Sequence, residues 1–298
     1  MITIKIPATS ANVGPGFDCL GLAVSLYNTV EVEPSDTLKI EIEGEGAHSI
    51  PKNGTNLVFK AYRRTMQHLE APIVNLHMIQ HNQIPSTRGL GSSSTAIVAG
   101  ILIASEISGK AVPLETALCI ATEIEGHPDN VWRLRCMEDL PFPCKRKKQV
   151  RTMSFKVPDT LVPVAMVPDF ELSTAKARNV LPQQVPLKDA VFNTAHASFL
   201  AACFAKGEME HLLFAVEDRL HQPYRANLIP GFDEIVACGR EVGIPVYLSG
   251  AGPTVMALCN RHNAKQFIEQ AKPVLARHGN WNVYELEVEN KGACVVGK

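Results

Sequence analysis

Pro85-Ser86-Thr87-Arg88-Gly89-Leu90-Gly91-Ser92-Ser93-Ser94-Thr95-Ala96 is the stretch on which the reading of this chain turns. Two glycines flank one residue, three serines follow, and an apolar helix begins at once. A glycine turn lets backbone approach an anion closely, and the N–H groups of a helix start point at it. The helix end adds about half a positive charge, and serine hydroxyls add donors or a magnesium ligand. Pro85, Ser86, Thr87, Arg88, Gly89, Leu90, Gly91, Ser92, Ser93 and Ser94 thus read as a triphosphate cradle. The spacing is not that of a Walker loop, and no lysine follows the second glycine. The competing reading is a serine N-cap on a buried helix, for which one serine would suffice.

Around this loop the periodicities alternate. Strands are expected over Thr29–Glu33, Leu38–Glu43 and Val74–Met78, and helices over Asn56–Leu69, Ser92–Ile107 and Pro113–Glu125. Pro113 suits a first helical position and Gly126 a stop. After about Arg151 the pattern restarts. Leu161–Val167, Val246–Ser249, Val255–Cys259 and Asn282–Val288 read as strands; Leu187–Lys206, Glu208–Leu220, Pro230–Val242 and His262–His278 read as helices. At 298 residues two α+β domains are expected, 1–152 and 153–298.

Composition excludes several classes of function. A formal net charge of -1 draws the chain neither to nucleic acid nor to a membrane surface, so an anionic substrate must be held by local cations. The eight cysteines form no C-x-x-C pair, and the start has no signal core. Both point to a reduced, cytoplasmic protein. The longest apolar run, Ala96–Ala104, is too short to span a bilayer.

Three further segments carry candidate chemistry. Pro7–Gly21 surrounds Asn12 and Asp18 with small residues, as a substrate loop or equally as a tight turn with an Asx cap. Glu123 to Val131 runs a helix into a polar turn containing His127, Asp129 and Asn130. Its carboxylates suit magnesium, although each residue alone reads as structural. Ser249-Gly250-Ala251-Gly252-Pro253-Thr254 is a second glycine turn. Two arginines remain, Arg178 four residues after Thr174 and Arg225 after Pro223-Tyr224; a lone arginine is usually a surface charge of little worth.

Together, in this order, these motifs resemble the GHMP kinases. Gly89–Ser93 and Ser249–Thr254 are family-wide. Pro7–Gly21, His127–Val131, Thr174…Arg178 and Pro223-Tyr224-Arg225 resemble the branch that phosphorylates L-homoserine in threonine biosynthesis. The resemblance implies two α+β domains, the first like the second domain of ribosomal protein S5 and the second a ferredoxin-like sandwich. It implies ATP over the Pro85–Ser94 loop with Asn56 near the adenine. It also implies Mg2+ near Ser93 and Glu123, with Glu125 as the alternative carboxylate. L-homoserine is carried onto Asn12, Asp18, His127, Asp129, Asn130, Thr174, Arg178 and Arg225, and a homodimer is implied without a residue to show it. A zwitterion needs an anion for its ammonium and a cation for its carboxylate, which Asp18 and the two arginines supply. Asp18 and Arg178 are the catalytic candidates, with Asp18 the sole obvious base. The competing readings are another catalyst of the family, whose substrate lacks an ammonium, and a non-catalytic ATP-binding sensor.

Trp132–Lys148 departs from the resemblance. These 17 residues hold one of two tryptophans, two of eight cysteines, two prolines and six Lys or Arg, but no glycine. The branch continues Asp-Asn-Val with Ala-Pro-Ala and a Gly-Gly pair. The expectation is a stretch read out of frame, giving a rearranged loop rather than a central strand.

Overall fold

The computed structural model describes residues 1–125, 141–146 and 149–297. Two sheets organise them. The first, in the order β11-β1-β2-β4-β3, contains β1 (Ile2–Ala11), β2 (Gly21–Ser35), β3 (Lys39–Gly44), β4 (Asn75–Asn82) and β11 (Cys294–Gly297). Only β3 and β4 run parallel. The last strand of the chain therefore closes the sheet of its first half.

One face of this sheet is charged, with Glu31, Glu33, Glu41 and Glu43 beside His77 and His81. Strand period places the apolar partners Val30, Val32, Ile40, Ile42, Leu76 and Met78 on the other face. Against them pack α1 (Leu57–His68), α2 (Ser92–Ser108) and α3 (Leu114–Glu125). The crossing of α1 and α2 depends on Gly100. A Cβ there would lie 2.6 Å from both Ala61 Cβ and Tyr62 N, and closer still to the Val58 carbonyl. Gly100→Ala is expected to cost about 1–3 kcal/mol of stability in denaturant melts, because backbone cannot yield as a side-chain tip does. An unchanged midpoint would show that α2 can move away freely.

The second sheet, β10-β7-β9-β8, is built from β7 (Leu161–Pro168), β8 (Val246–Leu248), β9 (Val255–Asn260) and β10 (Trp281–Glu285). α8 (Phe232–Glu241) and α9 (Ala264–Arg277) cover one face through Phe232, Ile235, Phe267 and Leu275. On the other face Ala165, Val167, Met256 and Leu258 meet Leu200, Cys203 and Phe204 of α5 (Leu187–Lys206). Val13, Leu20 and Leu22 from the first half join this same cluster. β7 is covered on both sides, which is why it reads as an unbroken apolar run.

Two expectations are corrected. Glu208–Leu220 is not one helix but a 3₁₀ turn at Met209–His211, a single turn α6 (Leu212–Ala215) and a polar bend. Within Trp132–Lys148, residues 141–146 form a strand rather than a loop. This strand, β5 (Pro141–Arg146), pairs with β6 (Gln149–Thr152) in a sheet of their own, outside both large sheets. The rest of that stretch lies outside the described residues. Among the described residues no helix is long and apolar enough to cross a membrane.

Candidate active site

β1 ends in Pro7–Ala11, and its pairing with β2 slips between Pro7 and Ala8, where a residue without an N–H is tolerated. The slip delivers Thr9 to the start of α2: Thr9 N donates to the Leu90 carbonyl at 3.1 Å. The N-cap of α2 is Gly91, in the left-handed region (φ 74°), and no side chain caps the helix. The serine-cap alternative is thereby excluded, and the amides of the first turn have no acceptor inside the helix. Ser92 and Ser93 line an open cleft together with Ser86, Thr87, Asn56 and Gln80. Apolar walls come from Ile6, Val30, Pro51 and Val58. A flat base and a phosphate tail both find suitable surfaces here.

Other residues of the loop serve the scaffold. Leu90 is wholly buried in the core. Arg88 turns away from the cleft to donate to the carbonyls of Ser86 (3.0 Å), Pro168 (3.0 Å) and Asp169 (2.7 Å). Gly89 lies against the second glycine turn: a Cβ there would collide with the Ser249 carbonyl, and Ser249 Oγ donates to the Gly89 carbonyl at 2.7 Å. Asn56 lines the cleft, but its Oδ1 caps α1 by accepting from Val58 N and Phe59 N, and also takes Gln80 Nε2. Its oxygen is therefore committed to α1 rather than presented to a base.

A second set of groups meets at Gly250. Its N–H donates to the Ala11 carbonyl at 2.8 Å, and its carbonyl accepts from Asn12 Nδ2 (2.8 Å) and Arg225 Nη1 (3.1 Å). Asn12 Oδ1 accepts from Asp18 N at 2.9 Å, so this buried amide ties the Pro7–Gly21 loop together. This bond reaches six residues along the chain and so closes a wide loop rather than an Asx turn. Asp18, also in the left-handed region (φ 53°), takes both ends of the Arg178 guanidinium at 3.1 and 3.4 Å. Arg178 and Thr174 ride on α4 (Thr174–Asn179), which Ser173 caps. The Asp18–Arg178 pair is only part-buried, whereas Arg225 is 1% exposed. Arg225 sits on α7 (Gln222–Arg225) and its Nε holds the Ala177 carbonyl at 3.0 Å. Two nitrogens of the fork expected to face a carboxylate brace backbone in this structure. Removing Arg225 is thus expected to cost stability as well as affinity.

His221 and Asp218 escaped the sequence reading. The His221 ring stacks on Phe17 (centroids 5.2 Å apart), and the Arg225 guanidinium lies 5.2 Å from that same Phe17 ring. Asp218 accepts from His221 N, Gln222 N and Asn193 Nδ2, which also donates to the Pro15 carbonyl. The available signal was the i, i+4 spacing of His221 and Arg225. Burial, foremost, and the Arg225 charge hold the His221 pKa below its ordinary 6.5, against the opposing pull of Asp218 and the Gly14 carbonyl. The folded state thus keeps His221 neutral where the unfolded chain would protonate it. Its contribution to stability is full above about pH 6.5 and falls as pH drops below, by up to about 1.4 kcal/mol per unit. Wild type is expected to lose stability faster than His221→Phe between about pH 6.5 and 5 in urea titrations. Parallel profiles would show that His221 does not titrate on unfolding.

Glu123, the expected magnesium ligand, pairs through its Oε2 with Arg64 of α1 at 2.6 and 2.9 Å on a half-exposed surface. Among the described residues no three His, Cys, Asp or Glu converge as a metal site. His127, Asp129 and Asn130 lie outside the described residues.

Known proteins resemble this chain along nearly its whole length. The family model of the GHMP kinases N terminal domain matches residues 56–133, and that of the GHMP kinases C terminal matches residues 200–274. Homoserine kinase of Desulfitobacterium hafniense is 40% identical, covering 99% of this chain and 100% of its own. That of Caldicellulosiruptor bescii is 41% identical, covering 99% and 97%. The crystal structure of homoserine kinase from Cytophaga hutchinsonii superposes with a TM-score of 0.87 at 28% identity, over 99% and 97% of the two chains. A mevalonate kinase shares the fold at 16% identity and a TM-score of 0.70.

Proposed function

The chain belongs to the homoserine kinase branch of the GHMP kinases, and from that premise we propose that it transfers the γ-phosphate of ATP to the hydroxyl of L-homoserine where the α2 start meets the Asp18–Arg178 pair. The observation that carries this reading is the pair itself: opposite charges 3.1 Å apart, joined through Asn12 and Gly250 to the glycine turn beside Gly89. A zwitterion is its complement. The substrate carboxylate takes the place of Asp18 at Arg178, and the substrate ammonium takes the place of Arg178 at Asp18.

ATP fits the cleft, with base against the apolar walls and phosphates over the amides and hydroxyls of Ser92 and Ser93. Magnesium needs few protein oxygens, since it keeps waters and phosphate ligands, so one serine hydroxyl and one carboxylate suffice. Ser93 would supply the first. With Glu123 held by Arg64, Glu125 is the carboxylate to test for the second. When bound, the ion neutralises charge on the transferring phosphates.

Phosphoryl transfer asks little covalent chemistry of the protein. The helix start and Arg178 stabilise the charge, and the loops hold hydroxyl and phosphorus in line. The substrate oxygen bonds to phosphorus as the bond to the β-phosphate breaks, and the hydroxyl proton leaves late, to a phosphate oxygen. Asp18, which carries Arg178 or the ammonium, acts by orientation. Production of ADP and O-phospho-L-homoserine, followed by mass spectrometry, is expected with L-homoserine and not with mevalonate or galactose. Equal ADP release with all three would sink the assignment, and none with any would favour a sensor.

A further inference from the structure

We propose that His221 is a positioning residue for homoserine recognition, its neutral imidazole fastening Arg225 to the loop that carries Phe17 and Asp18. The assignment rests on the reading that homoserine binds at Asp18 and Arg178.

The tautomer follows from the partners. An arginine can only donate, so at 3.4 Å from Arg225 Nη1 the Nδ1 atom of His221 must accept. The proton then resides on Nε2, which donates to the Gly14 carbonyl at 2.8 Å. One ring therefore links a cation to the turn that opens the substrate loop, four residues before Asp18. The ring face completes the clamp on Phe17, which also lies 5.9 Å from the Arg178 guanidinium. Both arginines thus flank one aromatic ring that His221 supports.

The parts on either side are rigid. Gly14 is in the left-handed region (φ 52°), and a Cβ on it would come within 2.7 Å of the Val216 backbone. Asp218, its carboxylate 3.6 Å from His221 Nε2, holds the amides of residues 220–222. Asn193 bridges Asp218 to Pro15. With its surroundings fixed, His221 has one orientation, and a second ring proton would face the Arg225 cation at Nδ1. Loss of the ring's hydrogen bonds frees Arg225 and the Phe17–Asp18 segment to drift apart, while the cleft at Ser92 and Ser93 is untouched.

The test compares His221→Phe, which keeps the ring face and loses both hydrogen bonds, with His221→Gln, which can donate to Gly14 and accept from Arg225. For the Phe variant KM for homoserine should rise roughly tenfold or more, with KM for ATP within about twofold. The Gln variant should recover most of that loss. A Phe variant with wild-type KM for homoserine, or parallel rises in both KM values, would overturn the assignment. Should the Phe variant fail to fold, the wild-type protein still decides through the nitrogen-15 spectrum of its histidines near neutral pH. A neutral ring protonated on Nε2 is expected; an Nδ1-protonated or doubly protonated ring overturns the proposal. Wild-type protein that ignores homoserine would instead overturn the proposed function, with the tautomer still readable in the same sample.

Discussion

Replacing Arg178 with leucine is expected to lower kcat/KM for homoserine by roughly a hundred- to a thousandfold while leaving the ATP dissociation constant within about twofold. Arg178 makes two contacts to Asp18 and stands in the part-buried mouth of the site, where screening is incomplete. Each charge-assisted hydrogen bond is worth about 1.5–3 kcal/mol, and both the carboxylate of the substrate and the developing phosphate charge would lose a partner. None of the atoms lining the nucleotide cleft belongs to α4, so ATP binding has no reason to follow. Steady-state kinetics with titration calorimetry for ATP separates the two. Losses of equal size would place Arg178 in the nucleotide site or in folding.

The second large effect concerns Gly91. Valine there is expected to weaken ATP binding by about a hundredfold or more. The reason differs from the one the sequence suggests, which is a branched side chain standing in the phosphate's place. In the structure a Cβ at Gly91 runs into Thr9 Oγ1, and its φ of 74° is one that a β-branched residue resists. A left-handed conformation costs about 1–2 kcal/mol and overpacking about 1–3 kcal/mol, so the loop moves rather than bear both. Gly91→Ala should fall between, and Thr9→Ala combined with it should recover part of the loss by removing the obstructing hydroxyl. Calorimetry on folded variants measures this. Undiminished ATP affinity in a folded Gly91→Val protein would refute the cradle.

What was legible in the sequence was whatever had a period or a punctuation mark. α5 runs from Leu187 to Lys206 with Gly207 closing it in the left-handed region, as its pattern requires. β1 was missed because its alternation, Ile2, Ile4 and Ile6 against Thr3 and Lys5, is short and stops where every residue from Ile6 to Ala11 is buried. β11 has only four residues. Glu208–Leu220 has helical spacing, but the Asp218 carboxylate captures the amides of residues 220–222 and turns the chain. At the site, the four motifs were visible as loops, but partnerships across 160 and 238 residues were not. Asn12 reaching Gly250 and Ser249 reaching Gly89 are products of the fold. Nor was the pairing of Glu123 with Arg64 visible, since Arg64 lies on another helix.

Whether the Asp18–Arg178 pair reads a zwitterion is tested most directly by comparing L-homoserine with 4-hydroxybutanoate, which keeps the hydroxyl and carboxylate and lacks the ammonium. A substrate that leaves the part-buried Asp18 carboxylate unpaired forfeits about 1.5–3 kcal/mol, so kcat/KM should be roughly ten- to a hundredfold higher for L-homoserine. Equal values for the two alcohols would contradict the account.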